Sequence, residues 1–252
     1  FSSYIPQGKC VFTIKTTKNV ELVHEVMNDS KGQVKFRKYE KGNQVFYEWS
    51  ATDLPSRKTE DDSPSLRYFT PHVICYVKSY ETSKGKVNVL SGLDDLYKWY
   101  SSFVNDLNQE SSPELIQIVN GIKARSNDEI DIVRNVFYWV QENIQYVAFE
   151  QGMRGLIPHH GSYVCEKRYG DCKDMANLIV NMLKLAGVKG YHTWIGTRDL
   201  PYRYSSVPTP LVDNHMIATY ISSDKQYFFL DATSDHTPFG YPSSMIQGKE
   251  AL

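Results

Sequence analysis

The sequence predicts an α+β protein: a mostly-β N-terminal domain, followed by a core in which a helix carrying a cysteine packs on an antiparallel sheet. Three observations predict it. Short aromatic and β-branched runs, separated by turn residues, fill the first ninety positions. From Ser91 the apolar period changes to a helical one. After a last strong helix ending at Gly187, three strand candidates follow in succession, an order typical of α+β rather than alternating α/β.

In the N-terminal half the strands are CVFTIKT (10–16), QVKFRKY (33–39), QVFYEWS (44–50) and HVICYVKSY (72–80). Turns are marked by Asn28-Asp29-Ser30, Lys41-Gly42-Asn43 and Lys84-Gly85. SRKTEDDSPS (56–65) reads as a solvated loop. This half is expected to be sandwich-like and incomplete. A helix over 93–107 closes the first domain, residues 1–107. NQESSPE (108–114) is the linker, and the second domain runs 113–252. Ser112-Pro113 starts a helix with an N-cap followed by Pro at N1. Ser126 and Glu129 have capping-box spacing, and Ile130, Val133, Val136, Phe137, Val140 and Ile144 form the stripe of the next helix. Asp171 caps the helix after it, with Asp174 at N3, a stripe of Met175, Leu178, Ile179, Met182 and Leu183, and Gly187 as the stop. The strands 191–197, 215–222 and 226–233 complete the core.

Composition excludes several classes. The 252 residues carry 28 Lys plus Arg against 29 Asp plus Glu, a formal charge of −1, so bulk charge gives no basis for nucleic-acid binding. No apolar run reaches the roughly 18–20 residues that span a bilayer. The 41% hydrophobic content is too high for a disordered chain. Four cysteines, Cys10, Cys75, Cys165 and Cys172, are too few for a disulfide scaffold. FSSYIPQGKC shows no charged leader followed by an apolar core, and the chain reads as a fragment or processed form.

The chemistry concentrates around Cys172. Its place in the first turn of a helix exposes it to free N–H groups and the positive dipole end, which favour a thiolate. A nucleophilic thiol needs a base, and the base an orienter. His215 begins one strand and Asp231 lies near the end of the next. A hairpin centred on Ser223, with the three-residue turn Ser222-Ser223-Asp224, would set the two opposite each other on one face. A two-residue turn would separate them. His192 is a competing base that reads better as a packed residue, and Asp213 and Asp235 are alternative orienters. His24, His72 and His236 do not offer this geometry.

Arg168-Tyr169-Gly170-Asp171-Cys172-Lys173-Asp174, the LIVNMLKLAGV stretch, Asp213-Asn214-His215 and Phe229-Leu230-Asp231-Ala232-Thr233 together resemble the transglutaminase-like core. The resemblance covers roughly residues 113–252. YWVQENIQYVAFEQG upstream and PFGYPSSMIQGKEAL downstream are similar to a subgroup of large bacterial proteins, in which a β-sandwich domain of uncharacterised function precedes the core. YEWSATDLP fits the end of such a domain, and another β domain would normally follow residue 252. The resemblance implies a papain-like triad: Cys172 nucleophile, His215 base, Asp231 orienter. It implies a cysteine-dependent acyl-transfer enzyme, a protease, amidase or transglutaminase-like acyltransferase working through a thioester on a peptide, protein or cell-wall amide. It also implies export, to the periplasm or beyond, and no cofactor. The alternative is a non-catalytic binding or scaffolding module with a vestigial triad.

Other residues of this half invite further readings. His159-His160 with Cys165 and Cys172 match no common zinc spacing, and a closed site would consume the nucleophile, so no metal is expected. A disulfide between Cys165 and Cys172 cannot be judged from spacing. The oxyanion hole would use the Cys172 N–H and one further donor, with Trp139, Gln141, Gln145, Tyr146 and Gln151 all open. The long loop 197–214 is expected to wall the substrate cleft.

Overall fold

A computed structural model describes residues 1, 4–58, 60–148 and 150–252. Thr59, inside the loop expected at 56–65, lies outside the described residues. So do Ser2, Ser3 and Phe149. The chain divides into two compact units. The first holds Phe1–Leu96 and Asp199–Leu211, the second Tyr97–Arg198 and Val212–Leu252.

The first unit carries two antiparallel three-stranded sheets. One contains β1 (Gln7–Thr17), β4 (Gln44–Leu54) and β3 (Lys35–Lys41) in that order, the other β2 (Val20–Met27), β5 (His72–Thr82) and β6 (Gly85–Asn88). Strict alternation along β4 buries Val45, Tyr47, Trp49 and Ala51. Leu22 and Val26 of β2 and Val73 of β5 pack against that face. His24 also reaches in, its ring 5.3 Å from that of Trp49. Strands β2 and β6 add to the four expected from sequence. In β2 two glutamates and a histidine dilute the apolar signal, yet Leu22, His24 and Val26 still alternate inward.

The second unit contains α2 (Pro113–Arg125), α3 (Glu129–Asn143), α4 (Gly161–Lys167) and α5 (Cys172–Ala186), plus the antiparallel sheet of β9 (Gly190–Ile195), β10 (His215–Ile221) and β11 (Tyr227–Leu230). A two-strand parallel pair joins β7 (Gln145–Tyr146) to β8 (Tyr169–Gly170). Helix α1 (Leu93–Ser101) precedes them. It is shorter than the expected 93–107: the chain continues in mixed i+3 and i+4 turns, and the Ser102 hydroxyl donates to the Trp99 carbonyl, a local bond that competes with helix propagation. The linker expected at 108–114 lies inside this unit. The core is amphipathic packing of α2, α3 and α5 around Leu115, Val136, Phe137, Leu178, Ile179, Met182 and Leu183, closed by Ala218, Tyr220 and Leu230 of the sheet.

Two local readings are corrected. Helix α3 is capped by Asp128, whose side chain accepts from the Asp131 N–H. Ser126 instead ends α2, donating its hydroxyl to the Ile122 carbonyl at 2.8 Å. Asp is as good a cap as Ser, and the nearer of the two takes the position. The β10–β11 turn is Ser223-Asp224-Lys225, one residue later than expected. Ser222 N–H donates to Gln226 O at 3.0 Å, and Lys225 takes the left-handed φ of 68° that a three-residue hairpin requires at its third position.

Candidate active site

The position of Cys172 is built by its own neighbours. Asp171 accepts from the Asp174 N–H at 3.2 Å while Asp174 accepts from the Asp171 N–H at 3.3 Å, a reciprocal capping box that starts α5 at Cys172. Gly170 is needed here, because a Cβ at that position would lie 2.6 Å from the Asp174 Cβ. Lys173 is buried with Asp171 as an ion pair. Burial holds the Asp171 carboxyl above its ordinary range, with Lys173 offsetting part of that rise. Asp174 also receives the His159 N–H at 2.7 Å and the His159 ring at 3.2 Å. The loop before α4 is thereby tied to the cysteine helix.

His215 enters from the other side. The shifted hairpin moves its formal cross-strand position to Thr233, and regular pairing ends at Ala218–Leu230. A shift of two residues preserves the face, so Asp231 reaches His215 diagonally. Its Oδ1 lies 3.2 Å from His215 Nε2. The two side chains form a buried ion pair. The Cys172 thiol also acts on the ring electrostatically. Burial alone would lower the imidazole; Asp231 and Cys172 overcome it and raise His215 to about 9. Burial likewise opposes ionisation of Asp231. His215 and the hydroxyls of Ser243 and Thr233 reverse that and hold it below the usual carboxylate range. Ser243 donates to Oδ2 at 2.6 Å and Thr233 Oγ1 to Oδ1 at 2.7 Å. Thr233 and Ser243 lie in the stretches that carry the resemblance but are given no role from sequence; hydroxyls near an aspartate carry no periodic signal.

The segment entering β10 is fixed. Thr197 N–H donates to Asn214 Oδ1 at 2.8 Å and Asn214 Nδ2 to Thr197 Oγ1 at 3.0 Å. A Cβ on Gly196 would lie 2.2 Å from the Val212 carbonyl oxygen, so the two backbones meet only because residue 196 is glycine. Asp213 accepts the Tyr100 hydroxyl at 2.7 Å.

The remaining candidates are placed elsewhere. His192 Nε2 meets Asn177 Oδ1 at 2.9 Å, and burial lowers the ring to about 4, so it packs as a neutral residue. His160 accepts the Asn108 N–H at 3.2 Å. Among the described residues no group of three or more His, Cys, Asp or Glu side chains is arranged to hold a metal. The four cysteines are free. Among the described residues no helix is long and apolar enough to cross a membrane. Residues 199–211 of the expected cleft wall cluster with the first unit, where Tyr202 bonds His72 at 2.8 Å. A cavity of about 600 Å³ opens beside β9, lined by Tyr97, Tyr100, Tyr191, Trp194, Tyr227 and Phe229 among others, and includes none of Cys172, His215 and Asp231. The candidate site is marked by its thiol, imidazole and carboxylate and not by cavity size.

Residues 116–232, a span holding all three of these residues, match the profile of the transglutaminase-like superfamily. Over that span the chain is similar to a transglutaminase-like core. A comparison with curated protein sequences finds no match. Among solved structures, a candidate protease from Parabacteroides distasonis superposes with a TM-score of 0.68 at 14% identity, over 94% of this chain. The chain spans 42% of that protein's length. A candidate cysteine protease from Cytophaga hutchinsonii aligns at 10% identity and a TM-score of 0.38, over all of this chain and 82% of its own. LapG from Legionella pneumophila aligns at 14% identity and a TM-score of 0.39, over 64% of this chain and 79% of its own. The Parabacteroides protein shares the mixed α+β fold across both units.

Proposed function

We propose that this chain is a cysteine-dependent acyl-transfer enzyme acting on amide bonds of peptides, proteins or cell-wall peptides. The observation that carries the reading is the buried ion pair of His215 with Asp231, 3.2 Å from Nε2 to Oδ1, with the Cys172 thiol helping to raise the same imidazole. Cys172 Sγ attacks the carbonyl carbon and His215 accepts the thiol proton. As the C–N bond breaks, His215 gives that proton to the departing amine, leaving a thioester on Cys172. Asp231 holds the ring and stabilises its charged form, as carboxylates do for such bases. Water resolves the thioester in hydrolysis and an amine in transamidation; the three residues serve both. Export rests on the resemblance to the large bacterial proteins noted above.

The test is to incubate the protein with peptide and cell-wall amide libraries and measure intact mass with and without hydroxylamine. An acyl adduct on Cys172 that hydroxylamine removes, absent in Cys172→Ala, supports the reading. Amide turnover that persists in Cys172→Ala counts against it.

A further inference from the structure

Attack on a carbonyl places negative charge on its oxygen, and the Cys172 backbone N–H supplies one donor for it. We propose that the Tyr146 phenol is the second. The proposal rests on the reading of Cys172 as nucleophile.

The placement comes from the β7–β8 pair. Tyr146 lies opposite Gly170 in the parallel register, and the next residue, Val147, donates its N–H to the Gly170 carbonyl at 2.9 Å. Gly170 is two residues before Cys172, so this short ladder delivers Tyr146 beside the first turn of α5. The other possible donors are turned to different uses. Gln141 Nε2 donates to the carbonyls of Ser234 and Thr237. The Trp139 ring lies under the Arg168 guanidinium, 5.1 Å from its centroid. Gln145 precedes Tyr146 on β7 and therefore points to the opposite face. Gln151 starts a separate 3-10 turn. Tyr146 keeps 43% of its surface exposed, open to an incoming substrate. The phenol is pushed up to about 12, first by burial and then by the charges of Cys172, Glu150, Asp171 and Asp231. It is therefore a protonated donor at neutral pH, and it lies within the field of both Cys172 and Asp231.

In the step itself the C–S bond forms and the carbonyl π pair moves onto oxygen. The Tyr146 O–H donates a hydrogen bond to that oxygen and keeps its proton. The pair returns to re-form C=O as the leaving group departs.

Two reagents on the whole chain separate this role from its neighbours. p-Nitrophenyl acetate acylates a thiol through an oxyanion. Iodoacetamide alkylates it by displacing iodide from a saturated carbon, with no oxyanion. In Tyr146→Phe the acylation burst should fall about a hundredfold, while alkylation of Cys172 stays within twofold of wild type. Tyr146→Gln, which retains a donor, should recover part of the burst. Equal bursts in wild type and Tyr146→Phe overturn the proposal. So does a parallel fall in both reactions, which would make Tyr146 a support for the thiol or the fold. A wild-type burst that survives in Cys172→Ala instead overturns the nucleophile reading beneath it.

Discussion

Four thiols share this chain, and their surroundings separate them. Cys165 is fully buried in the helical core, and burial pushes its thiol up despite Arg168 nearby; burial does the same to Cys75. Only Cys172 combines a helix N-terminus with an imidazole held by a carboxylate. Limited iodoacetamide treatment at pH 6, read by peptide mass spectrometry, should label Cys172 first; equal labelling of Cys10, Cys75 or Cys165 would contradict that. Around Asp231, the Ser243 hydroxyl is a bond to a charged acceptor, worth about 1.5–3 kcal/mol. Ser243→Ala should lower stability in urea by about that much and slow turnover several-fold, because Asp231 then holds His215 less firmly. Variants of the triad should not add: His215→Ala on top of Cys172→Ala should cost little more than either alone, as groups that work as one unit behave. Nearly additive losses would mean the residues act separately.

At the scale of elements, the cysteine helix depends on its first turn. Asp171→Ala removes the N-cap, worth about 0.5–2 kcal/mol, and strands the buried Lys173 ammonium, for which breaking a buried pair costs about 3–5 kcal/mol. Urea unfolding should show a loss of at least about 3 kcal/mol. Adding Lys173→Met should restore much of it, and a double variant no better than the single would show that the pair carries no such weight. This turn was legible in sequence because caps, stripe and stop all lie within seventeen consecutive residues. The α3 cap was less so, since Ser126 and Asp128 are both good caps two residues apart and only packing chooses between them. The hairpin turn was misplaced by one residue for a similar reason: Ser222 to Lys225 is uniformly polar and contains no glycine to mark the left-handed position that Lys225 fills. The site survived that error because the slip was even. The β7–β8 pair, two residues to a strand, is set by contacts between segments more than twenty residues apart and leaves no local pattern to read.

For the whole molecule, the ionisation of His215 couples the site to stability. Its folded-state value, raised to about 9, exceeds the roughly 6.5 of an unfolded histidine. Its contribution is therefore complete below about pH 6.5 and is lost as pH rises through 9. The stability difference between wild type and His215→Ala, from urea unfolding, should shrink across that window; a difference independent of pH would remove the charged pair from the account. The order of helices before sheet could be read from periodicity, and the pairing of His215 with Asp231 from their spacing. The return of residues 199–211 to the first unit could not, because a Pro- and Tyr-rich loop carries no sign of which body it packs on. The central claim is that His215 activates Cys172. The most direct measurement is the rate of Cys172 alkylation by iodoacetamide at pH 6 in wild type and in His215→Ala. The account predicts that wild type reacts at least about tenfold faster, equivalent to about 1.4 kcal/mol. Equal rates in the two proteins would contradict it.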